Sequence, residues 1–126
     1  MTSLSGRTRI FGAAGAVGLF LGVAFGAFAA HSLRQRISPG MLEVFETGVR
    51  YQMYHSLALL AVAVFADKGK MFRYAGTFYI IGIALFSFSL YALAMTGIDG
   101  LGIITPFGGL SLLAGHIFLL LGFLRI

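Results

Sequence analysis

Residues 47–60 read TGVRYQMYHSLALL. Arg50, Tyr51, Gln52, Tyr54 and His55 stand directly before Ser56–Ala66, a run without a single charge. As a helix that run covers only about 16 Å, whereas a hydrocarbon core needs about 20 residues to cross roughly 30 Å. The polar residues must therefore belong to the same helix, which is expected to begin near Pro39. Ser38 is the candidate N-cap there, and Pro39 at the first helical position loses nothing by lacking an N–H.

Working outward, three further segments are long and apolar enough to cross a membrane. They are about 10–30, 71–95 and 101–124, beside 39–66 for the second. Of 126 residues, 59% are hydrophobic and 10% charged, against about 45–50% and 25% in soluble domains. The net charge of +5 sits in small groups between apolar runs, the pattern of loops flanking spans and not of a nucleic-acid face. The expectation is one all-α domain over residues 1–126: an integral membrane four-helix bundle, its second helix extended by an amphipathic N-terminal segment. Arg7, Arg9 and Ala27–Ala29 resemble a cleavable signal, but the apolar run between is longer than the usual about 7–15 residues, so an uncleaved span is expected.

Lys and Arg counts set the orientation. Arg7, Arg9, Lys68, Lys70, Arg73 and Arg125 share one side of a four-span chain, and Arg34, Arg36 and Arg50 the other. Both termini are expected in the cytoplasm, with residues 31–50 toward the outer face.

Chemistry-bearing groups are sparse. Without cysteine, disulfides and thiol chemistry are excluded. Asp67 and Asp99 fall in loops, so no span carries a midplane carboxylate, the usual ion-coupling group. No paired acids, phosphate loop or activated nucleophile is present; neither enzyme activity, metal nor cofactor is expected. Gly15, Gly18, Gly22 and Gly26 form a small-residue face suited to close helix packing, within the chain or against a second copy. Thr105 is read as the N-cap of the fourth helix, with Pro106 following.

At 100° per residue, Glu46, Arg50 and Tyr54 fall on a stripe suited to the outer interface, Arg50 pairing with Glu46 or stacking on Tyr54. Gly48, Gln52 and His55 fall on another stripe, pointing into the protein. His55 is the foremost candidate for a ligand or proton group, with Gln52, Tyr51, Arg50 and His31. His116 reads as lying deeper than His55, and that mismatch in depth argues against a haem held by the two.

The chain also resembles a known family. GAFAAHSL (Gly26–Leu33) is similar to GAFGAHAL, and TGVRYQMYHSLALL to TGVxYQMYHALALL, Ser56 replacing Ala. LFSFSLYALAMTG (Leu85–Gly97) is similar to LFSGSLYxLALTG, with Phe88 for Gly. LGIITPFGG (Leu101–Gly109) is similar to LGxITPxGG. These stretches resemble the domain-of-unknown-function 423 family of small inner-membrane proteins, with transmembrane protein 256 as eukaryotic relative. His116 stands where that pattern has an aromatic residue, usually Trp. The resemblance implies a four-helix membrane protein and no particular activity. Two functions follow as expectations. One is a non-catalytic protein that packs helices or binds a partner, itself or lipid. The alternative is an oligomeric solute or proton transporter with a pathway past His55. The bilayer is the expected partner, with a bound lipid or second copy as candidates and nucleic acid excluded.

Overall fold

The computed structural model describes residues 4–126. The chain is all-α, with α1 (Gly6–His31), α2 (Pro39–Phe65), α3 (Lys70–Thr96) and α4 (Ile104–Leu124). Two short 3₁₀ turns, Leu33–Gln35 and Asp99–Ile103, lie between them. Local chemistry sets the ends. Ser5 accepts from the Thr8 amide at 3.1 Å, and Ser38 from Met41 at 3.2 Å with Pro39 first in the helix. Gly97, at φ 70°, takes the left-handed C-terminal position of α3 and donates its N–H to Leu93, a conformation costly for residues with a Cβ. Thr105 does not cap α4, because the preceding 3₁₀ turn runs straight into a helix starting at Ile104. Its hydroxyl instead meets Ser89 of α3 at 2.6 Å.

Three stretches, Gly6–Gln35, Lys70–Thr96 and Asp99–Leu124, are long and apolar enough to cross a membrane. Equally long, α2 falls short because its first half carries Glu43, Glu46, Arg50 and Gln52.

Each helix packs antiparallel against its neighbours in sequence, while α1 and α4 lie on the two flanks without packing together. Glycines let the backbones approach. Gly15, Gly18 and Gly22 sit under Ser56, Leu60 and Met53 of α2. A Cβ at Gly18 would run into the Ser56 side chain, and one at Gly108 into the Phe86 backbone. The small-residue face of α1 is thus spent on α2. Phe65, Phe72 and Phe123 cluster at one end, with ring centroids 5.0–5.5 Å apart. Phe25, Phe45 and Tyr91 fill the other. The apolar core between includes Leu59, Val62, Tyr79 and Leu112.

Buried polar groups cross between helices, as a setting without water requires. Ser87 donates to the Gly48 carbonyl at 2.7 Å and Ser111 to Phe78 at 2.8 Å. Gln52 donates to the Gly18 carbonyl at 2.8 Å and accepts from the Tyr91 hydroxyl at 2.6 Å. The Ser56 hydroxyl, fully buried against Gly18, has no hydrogen-bond partner among the described residues.

Candidate functional site

A groove of about 680 Å³ opens between α2 and α4, with Phe86 of α3 in its wall. Tyr51, Tyr54 and His55 line one side and Leu110, Leu113 and His116 the other. Its size lies in the range of small-molecule sites, about 300–1,000 Å³.

The two histidines of the groove belong to one chain of hydrogen bonds. His55 Nδ1 lies 2.6 Å from the Tyr51 carbonyl, one helical turn back. His55 Nε2 lies 3.1 Å from His116 Nε2. His116 Nδ1 lies 2.7 Å from the Tyr79 hydroxyl. With both rings uncharged, the directions are forced. A carbonyl only accepts, so His55 Nδ1 carries the hydrogen and His55 Nε2 is bare. His116 Nε2 must then donate to it, and Tyr79 must donate to the bare His116 Nδ1. The chain runs Tyr79 to His116 to His55 to the Tyr51 carbonyl. His55 is buried at 5% exposure and Tyr79 at 0%, whereas His116 is exposed at the groove edge.

The two histidines therefore meet, against the depth reading of the sequence. His55 lies about 24 Å along α2, whose first turns are polar, and His116 about 18 Å along α4. Counting depth from where the apolar residues begin placed His55 too near the surface. Tyr79 was not singled out at all, although the turns announce it. Tyr79 and Gly115 are equidistant from Gly97, and they pack together; His116 is next to Gly115.

The other candidates lie elsewhere. Gln52 faces α1 and α3 and is 1% exposed. Its amide is engaged by Gly18 and Tyr91. His31 is exposed at the end of α1 and does not line the groove. Arg50 is exposed and donates to Thr47 at 2.9 Å, not to Glu46. Thr47 in turn back-bonds to Glu43, so the local hydroxyl competes successfully for the guanidinium. Tyr54 stacks edge-on with Tyr51 at 5.9 Å. Among the described residues, no group of three or more His, Asp or Glu side chains is placed to hold a metal.

Residues 25–109 match the family described as "Protein of unknown function (DUF423)". The chain belongs to this family. Relatives cover nearly its full length. The UPF0382 membrane protein YwdK of Bacillus subtilis is 44% identical over 113 residues, 86% of this chain and 91% of that one. A UPF0382 membrane protein of Haemophilus influenzae is 45% identical over 104 residues, 82% and 84% of the two chains. The UPF0382 inner membrane protein YgdD of Escherichia coli is 37% identical over 113 residues, 88% and 86%. No solved structure matches. This DUF423 member is accordingly a membrane protein.

Proposed function

We propose that this protein holds a lipophilic molecule taken from the bilayer in the α2–α4 groove, and acts by binding without catalysis. The observation that carries the reading is the groove itself, a largely apolar cleft in whose wall His55 and His116 meet. In this reading all four helices cross an inner membrane with both termini in the cytoplasm. Support for the second crossing comes from register: Val49 to Ala63 of α2 runs beside Gly26 to Gly12 of α1, at the depth of an apolar span. No second copy is needed, since Gly15, Gly18 and Gly22 are already covered by α2. The transport alternative draws less support, because the polar chain ends on a buried tyrosine and a backbone carbonyl instead of leading across the membrane.

Mass spectrometry of lipids retained by purified protein tests the reading. Gly109→Leu is the blocking variant, since a Cβ there would meet only Phe86, at 3.8 Å, on the groove wall. Wild type should retain a lipophile above its proportion in the membrane, and Gly109→Leu should lose it. Identical lipid profiles from the two proteins would remove the reading.

A further inference from the structure

We infer that the His55–His116 pair reads a hydroxyl group, so that the ligand of the groove is a neutral lipophilic alcohol. The inference rests on the binding reading above and adds the chemistry of the ligand.

The argument starts from hydrogen-bond valence. The forced chain leaves a donor, His116 Nε2–H, facing a bare acceptor, His55 Nε2, across 3.1 Å. Both other ring nitrogens are committed, one to the Tyr51 carbonyl and one to the Tyr79 hydroxyl. A ligand entering the groove meets His116 at its edge with His55 behind. A group inserted between the rings must accept from one nitrogen and donate to the other. A hydroxyl does both at a single atom. It exchanges one hydrogen bond for two and strands nothing.

Other polar groups fit worse. A ketone, ester or ether accepts from His116 and leaves the His55 nitrogen buried without a donor, at a cost comparable to a lost hydrogen bond. A carboxylate or ammonium would bring a charge into an apolar segment. Water would find only these two partners, the low end for a buried water.

Position narrows the class further. His116 lies about 18 Å from the start of α4 and about 12 Å from its end, well inside the apolar stretch. A phospholipid head group stays at the interface, so the hydroxyl must sit on a molecule that is otherwise hydrocarbon. Long-chain or isoprenoid alcohols have this character. The aromatic rings of Tyr51, Tyr54 and Phe86 beside the pair suit an unsaturated or ring-bearing chain near the hydroxyl.

The test uses the full chain in dioleoylphosphatidylcholine nanodiscs, with tritiated farnesol as the probe. Unlabelled farnesol and farnesyl methyl ether are the competitors, in mole fraction of the bilayer. The ether keeps the chain and the acceptor and loses only the donor. Farnesol should compete about tenfold better than the ether in wild type. In His55→Phe the two should compete equally, whereas in His116→Phe farnesol should keep its advantage because His55 Nε2 still accepts its hydrogen, with circular dichroism and gel filtration confirming the fold. Equal competition in wild type would overturn hydroxyl recognition while leaving the groove a lipophile site. Absence of saturable farnesol binding that Gly109→Leu abolishes would overturn both.

Discussion

Gln52 of α2 donates its side-chain amide to the backbone carbonyl of Gly18 in α1 across 2.8 Å, while the Tyr91 hydroxyl of α3 reaches its oxygen. One buried amide thus joins three helices. Gln52→Leu keeps the volume, strands the Tyr91 hydroxyl and removes both bonds. We expect a loss of about 1–2 kcal/mol, toward the upper end for membrane hydrogen bonds. Unfolding by steric trapping in bicelles measures it, and an unchanged stability would disprove the tie.

The α1–α2 contact makes a graded prediction. Gly18→Ala pushes a methyl into the Ser56 side chain, whereas Gly26→Ala meets Val49 at an ordinary 3.5 Å. Overpacking at Gly18 should cost about 1–3 kcal/mol, and Gly26→Ala should be near neutral. Ser56→Ala removes a buried hydroxyl without a partner among the described residues, so it should stabilise by about 1 kcal/mol. The same unfolding assay ranks all three, and equal effects of the two glycine substitutions would contradict the close approach.

The histidine tautomers are a spectroscopic prediction. His55 should carry its hydrogen on Nδ1 and His116 on Nε2, as the Tyr51 carbonyl dictates through the chain. Nitrogen-15 chemical shifts of histidine-labelled protein distinguish the two forms, and the chain holds only three histidines. Tyr79→Phe should lower stability by about 1 kcal/mol. Its effect should be non-additive with His55→Leu by about 0.5 kcal/mol or more, since both act through His116. Matching tautomers on the two rings would break the derived chain.

Arg50 should matter little to the fold. Its recorded partner is Thr47 on an exposed surface, and Glu46 pairs with nothing among the described residues. Arg50→Ala should cost less than about 0.5 kcal/mol, with no coupling to Glu46→Ala. A coupling above that value in a double-mutant cycle would restore the ion pair.

Much of the fold was legible because membranes impose simple lengths. The helical ends at Ser38–Pro39, Phe65 and Thr96 fall within a residue or two of the sequence expectation. The inward stripe of Gly48, Gln52 and His55 is buried as the 100° wheel placed it. The site was less legible. A wheel shows which face a residue takes and not what stands across from it, so Gln52 and His55 looked like one cluster. In fact they point to opposite flanks, Gln52 to α1 and His55 to α4. The missing information was helix register. Pairs equidistant from Gly97, such as Gly82 with Leu112 and Phe72 with Gly122, lie in contact. Counting from the turns would have brought His116 to Tyr79, where counting from apolar boundaries did not. Thr105 was misread because capping propensity is local, and its hydroxyl is taken by Ser89 from another helix.

The neighbour-to-neighbour packing bears on biosynthesis. A helix leaving the translocon finds its partner already in the bilayer, since each one docks on its predecessor. Assembly can then keep pace with synthesis, with no early segment waiting for a distant one. His116 arrives on α4, after α1, α2 and α3 have emerged. Until then His55 lacks its companion and the groove has only one wall. On the proposed binding reading, a chain that still lacks α4 is incompetent to capture a ligand and becomes receptive only when α4 is seated.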